Sequence, residues 1–169
     1  MRIKPSLLLI SLITFHSCIG WSEQGSTLIY LVNNSGTTVA AYVADEFNSG
    51  FSYPETELPL TLNSFCLTEG ILDEGRIYGA RTGLSDIFSF TKQNVLSIFV
   101  FNQEDIDELG WEKVLSDNRY MVRYDLKEND LFLYDGGHGD INYCIDYPPS
   151  LSLKGVQMFP PYESFVENN

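Results

Sequence analysis

Val95-Leu96-Ser97-Ile98-Phe99-Val100-Phe101 holds a single polar residue, and its large side chains are β-branched, aromatic or leucine. Such side chains suit a pleated backbone. Successive residues of a strand point to opposite faces, so a run apolar at both parities must be covered on both sides. The stretch predicts a central strand.

Both flanks of that strand agree with a β-rich domain. After it, Asn102 reads as a helix cap, and Glu104 and Asp105 stand in the first turn, where acids suit the helix dipole. Gly110 breaks that helix and Trp111 to Leu115 begins a second short one. Tyr120, Val122, Tyr124 and Leu126 then alternate with Met121, Arg123 and Asp125, the pattern of a half-buried strand. Leu131 to Tyr134 follows, and Ile141, Tyr143, Ile145 and Tyr147 alternate up to Pro148-Pro149, which ends the strand.

Before the central strand, Leu28 to Val32 and Val39 to Val43 favour β structure. Asn33-Asn34-Ser35-Gly36 between them tolerates positive φ, which predicts a hairpin. Pro54 and Pro59 punctuate residues 44–75, where Leu58, Leu60 and Leu62 alternate as an edge strand. Ile77 to Ala80 reads as a further strand, turning at Thr82-Gly83. The expected fold is therefore mainly β, a sandwich or an α+β antiparallel sheet, with one or two short helices near residues 103–117.

The N-terminus carries an address. Arg2 and Lys4 precede Leu7 to Phe15, and Ser17 precedes Cys18. A membrane span needs about 20 apolar residues at about 1.5 Å each, so this shorter run reads as the apolar region of a bacterial export signal. A lipoprotein peptidase would cut before Cys18 and leave lipid on its thiol, although Phe15 and His16 depart from the usual lipobox. The rival is ordinary cleavage after Ser22, with Gly20 and Ser22 as the small residues. The lipoprotein reading is favoured, and several acyl chains on one cysteine would anchor the chain firmly. The expected organisation is a signal peptide at 1–17, a tether at 18–26, one β-rich domain at 27–149 and an extended C-terminal tail at 150–169.

Without residues 1–17 the chain keeps 152 residues, enough for one domain with its own core. Arg2 and Lys4 leave with the signal, so 8 basic residues face 23 acidic ones, a formal charge of −15. Nucleic-acid binding draws its affinity from Lys and Arg, so no nucleic-acid partner is expected. Cys66 and Cys144 are the cysteines left beside Cys18, candidates for one disulfide in an oxidising compartment or for two half-buried thiols.

No catalytic set is assembled in the sequence. His138 sits between glycines, poorly placed for the oriented imidazole that a general base needs. Asp135 to Asp140 lacks the spacing of a calcium loop, and one histidine with distant cysteines does not suggest zinc, so neither a metal nor a cofactor is expected. The acid pairs Asp45-Glu46, Asp73-Glu74 and Glu104-Asp105 read as solvated surface. Gly79 to Gly83 lacks the lysine of a phosphate loop. Trp21, Trp111 and the tyrosines Tyr143, Tyr147 and Tyr162 would form a glycan or protein platform if exposed, but Trp111 reads rather as core.

Leu96 to Phe101, Glu108-Leu109-Gly110-Trp111-Glu112-Lys113, Val122-Arg123-Tyr124-Asp125-Leu126 and Tyr147-Pro148-Pro149, together with Ile29 to Ser35, resemble uncharacterised putative lipoproteins of Bacteroidetes-type bacteria over about half of the expected mature chain. Asp135 to Asp140 departs from that pattern as an insertion. The resemblance implies export and a single domain, and it implies no activity. The functional expectation is a non-enzymatic binding or structural lipoprotein of the cell envelope, with a protein or glycan partner. The alternatives are a periplasmic or surface hydrolase using carboxylates, and a secreted immunity-type partner.

Overall fold

The computed structural model describes residues 26–44, 53, 58–59, 67–80, 82–134 and 141–166. Along them run β1 (Thr27–Asn33), β2 (Val39–Ala44), β3 (Leu67–Ile71), β4 (Glu74–Ala80), α1 (Leu84–Ser89), β5 (Leu96–Asn102), α2 (Gln103–Leu109), α3 (Trp111–Ser116), β6 (Tyr120–Leu126), β7 (Phe132–Tyr134), β8 (Ile141–Tyr147), β9 (Gln157–Phe159) and α4 (Glu163–Val166). One sheet has the order β4-β1-β8-β7 and the other β3-β2-β5-β6-β9. The second sheet is antiparallel throughout. In the first, β1 and β8 lie side by side in parallel.

The stretch quoted at the outset forms β5, the middle strand of the five, and both its faces are covered. Ile98 and Val100 join Ile29, Leu31, Tyr124 and Ile145 in the core between the sheets. Phe99 and Phe101 face the other way, with Tyr42, into a second core closed by Ile106 of α2 and by Trp111 and Val114 of α3. The Trp111 ring meets Phe101 edge-on at 5.2 Å, and its Nε1 donates to the Pro59 carbonyl at 2.9 Å. The architecture is thus two stacked sheets with a helical layer on the outside of the larger one. A fully buried apolar side chain stabilises by about 1.5–3 kcal/mol, so the two cores together hold the layers in place.

Local signals explain the helices. The Asn102 side chain accepts from the Glu104 amide at 3.2 Å and caps α2. Gly110, at φ 79°, is at once the C-cap of α2 and the N-cap of α3. That left-handed conformation costs glycine little and a side-chain-bearing residue more.

Several expectations need correction. The Asn33–Gly36 turn exists, but β1 and β2 do not form a hairpin, because they belong to different sheets. The turn carries the chain from one layer to the other. Asn33 is its hub: Nδ2 donates to the Thr37 and Ile71 carbonyls at 2.7 and 2.8 Å, and Oδ1 accepts from the Ser35 amide and hydroxyl. Helix α1 lies outside the expected 103–117 region, and its Ile87 and Phe88 cover an end of the inter-sheet core.

Nor is the region after 149 an extended tail. β9 pairs antiparallel with β6, and Leu153 and Met158 are buried in the inter-sheet core. Tyr147 is buried there too, with Tyr143 and Tyr162 packed against it, so these tyrosines do not form an exposed platform.

Candidate functional site

Arg123 and Asp125 stand two residues apart on β6 and therefore share a face, the one turned away from the first sheet. The register places them in two cross-strand rows. Arg123 lies between Phe99 of β5 and Phe159 of β9, and Asp125 lies between Ser97 of β5 and Gln157 of β9. Each row has a physical role. The guanidinium carbon sits 5.5 Å from the Phe99 ring centroid and 5.6 Å from that of Phe159, a cation held between two aromatic faces. Its Nε donates to Asp125 Oδ1 at 2.8 Å, and the Ser97 hydroxyl donates to the same oxygen at 2.6 Å.

The second carboxylate oxygen is different. The Asp125 side chain is 1% exposed, yet Oδ2 has no hydrogen-bond partner among the described residues. A buried acceptor without a donor costs about 1–3 kcal/mol or more when charged, so this oxygen marks a place where the fold alone leaves bonding capacity unused.

Asp125 lines a cavity of about 420 Å³ at this end of the larger sheet, together with Tyr53, Gln93, Val95, Lys127, Asp130, Gly155, Val156 and Gln157. Small-molecule sites commonly span about 300–1,000 Å³. Asp130 is partly committed, since its Oδ2 accepts from the Lys127 amide at 2.7 Å and closes a turn. A shallower hollow of about 370 Å³ adjoins, sharing Gln93 and Lys127 and reaching Ser85 and Glu128. Gln93, which lines both, and Asn94, which lines the second, take positive φ, 58° and 55°. Two consecutive residues in that region cost about 1–3 kcal/mol each, and such strain concentrates where side chains must be aimed.

The residues singled out from sequence lie elsewhere. Cys18, Cys66 and His138 fall outside the described residues, as do Asp135 to Asp140. Cys144 is a buried free thiol on β8, opposite Tyr30 and Phe132 on the outer face of the smaller sheet. Burial pushes its thiol up, and Asp146 and Glu74 add to that. On the same face the Tyr30 and Tyr134 rings lie 5.3 Å apart, and the Tyr134 hydroxyl donates to Glu74. Trp111 is core, as its place beside an apolar strand predicts.

On the charged side of β6, the Asp125 side chain is 1% exposed. The missed signal was the Arg-x-Asp spacing, which puts opposite charges on one strand face. Among the described residues no group of three or more metal-ligating side chains converges, and no helix is long and apolar enough to cross a membrane. Comparison with protein-family models, with curated proteins and with solved structures finds no match for the chain.

Proposed function

We propose that this chain is an exported binding protein of the cell envelope, anchored by lipid on Cys18, which holds a small polar ligand in the cavity beside Asp125. One observation carries the binding half: Asp125, 1% exposed and fixed through Oδ1 by Arg123 and Ser97, is among the residues that line a 420 Å³ cavity, and its buried Oδ2 has no hydrogen-bond partner among the described residues. Such rigid support of one polar group is what a preorganised binding site requires. The export half rests on the basic, apolar and Ser17-Cys18 succession of the N-terminus, and the resemblance to putative lipoproteins supports it. The rival form is a secreted soluble protein cut after Ser22.

The test is capture. Mature protein is incubated with the small-molecule fraction of a bacterial envelope extract, desalted and denatured, and the released compounds are identified by mass spectrometry. A compound retained by the wild type and lost from Asp125→Asn bears the proposal out. Failure to retain any compound removes the binding reading. For the anchor, Cys18→Ala is expected to move the protein from the membrane to the soluble fraction, and unchanged membrane retention refutes lipidation.

A second reading, a hydrolase using carboxylates, is favoured by the presence of Asp125 and Asp130 around one cavity. It ranks lower because Asp130 Oδ2 is already the acceptor of a turn. Turnover of chromogenic glycosides that disappears in Asp125→Asn would promote it.

A further inference from the structure

We infer that the ligand of this cavity is a neutral, hydroxyl-rich molecule of saccharide type. The inference rests on the binding reading above and narrows it. Charge comes first. Of the lining acids, Asp130 stands with Lys127 in the same lining, and Asp125 is paired with Arg123, which lies outside the lining at 2.8 Å. A site balanced in this way carries no local excess of charge that would single out an anion or a cation. Asp125 already holds a full counter-charge in Arg123 at 2.8 Å, so what Oδ2 lacks is a hydrogen-bond donor rather than a positive charge. Oδ2 is closed to solvent in this structure, so a ligand hydroxyl supplies that donor as it displaces the atoms covering it, and it does so without a second ion to desolvate.

The remaining wall fits the same chemistry. Gln93 and Gln157 each offer an amide that donates from one end and accepts at the other, the match for neighbouring hydroxyls that do both. Tyr53 brings a ring with a polar tip, suited to a sugar face. Val95, Gly155 and Val156 are small, so the apolar part of the lining is too slight to hold a hydrophobic ligand.

The experiment is an amide-resolved NMR titration of the folded mature protein. The probes are glucose, galactose and N-acetylglucosamine, with putrescine and inorganic phosphate as charged comparators. At least one sugar is expected to give saturable shifts at Gln93, Asp125 and residues 155–157, with none from putrescine or phosphate. Gln157→Ala, on an exposed position of an edge strand, is expected to keep the fold and weaken sugar binding about five-fold, the worth of about one hydrogen bond. Asp125→Asn is expected to weaken it ten-fold or more. Shifts from putrescine or phosphate alone would overturn the saccharide class while leaving the cavity a binding site. Silence from every probe would also overturn it, and the capture experiment then decides separately whether the cavity binds anything.

Discussion

Replacing Arg123 with methionine is expected to remove about 4–6 kcal/mol of stability. The guanidinium is the counter-charge of a carboxylate that is 1% exposed, and its own side chain is 17% exposed. Breaking a buried pair from one side strands the other charge, at about 3–5 kcal/mol. The lost contacts with Phe99 and Phe159 add about 1 kcal/mol, while methionine keeps most of the aliphatic packing of the stem. Domains of this kind are stable by about 5–15 kcal/mol, so the variant should remain folded only in part of the usual range. Urea unfolding, followed by Trp111 emission in a Trp21→Phe background, gives the number. With a slope of about 2 kcal/mol/M, the midpoint should fall by about 2–3 M. The double variant Arg123→Met with Asp125→Leu removes both charges, and apolar replacement of a buried pair is about neutral. Its stability should return to within about 1–2 kcal/mol of the wild type. A loss below about 1 kcal/mol for the single variant, or a double variant no better than the single, would refute the claim that Asp125 is a buried charge held by Arg123.

Further outcomes follow from other parts of the fold. Gly110→Ala should cost about 1–2 kcal/mol although nothing lies within 4 Å of the added methyl, because φ 79° and not space is the constraint; an unchanged urea midpoint would contradict this. Asn33→Ala should cost about 1–2 kcal/mol by taking the Asn33 donor from the Ile71 and Thr37 carbonyls, of which Thr37 keeps the Ser35 hydroxyl at 3.1 Å, and Asn33→Asp should not rescue it, since a carboxylate cannot donate to them. Burial raises the phenols of Tyr124 and Tyr147 above the usual value of about 10. Above that pH the unfolded chain has lost protons that the folded chain keeps, so stability is full below about pH 10 and declines as pH rises further; Tyr147→Phe should make that decline shallower, and an identical slope would remove Tyr147 from the account. In a Cys18→Ala, Cys66→Ala background, Cys144 should react with iodoacetamide at pH 8 only on unfolding, and rapid native labelling would show that its burial is wrongly described.

Much of this fold was legible because its strongest elements declare themselves locally. Val95 to Phe101 is apolar at both parities, and no other arrangement than burial on two sides satisfies it. Asn102, Glu104 and Gly110 mark the start and stop of α2 by caps whose chemistry is confined to a few residues. The errors came where the deciding partner is remote. Nothing in Asn33 to Gly36 tells whether the next strand pairs beside the last or crosses to the facing sheet; both need the same turn. β9 is three residues long, too short for alternation to show, and it owes its existence to the free edge of β6. Helix α1 begins at Gly83 without a side-chain cap, so it gives no start signal. The candidate site was illegible for the same reason. Arg123 and Asp125 look like a solvated face until β9, with Gln157 and Phe159, is laid against them.

The parallel pairing of β1 with β8 has a bearing on how the chain comes to exist at all. These two strands are the inner pair of their sheet, yet one opens the described chain and the other closes most of it. Their joining must wait for nearly the whole sequence, and contacts between such distant segments form late and slowly. Until β8 is made, β1 lacks its inner neighbour and the layer stacked on the larger sheet is incomplete. A polypeptide of this design keeps its smaller sheet unfinished until β8 has been synthesised, and only then can the two layers close on a complete core.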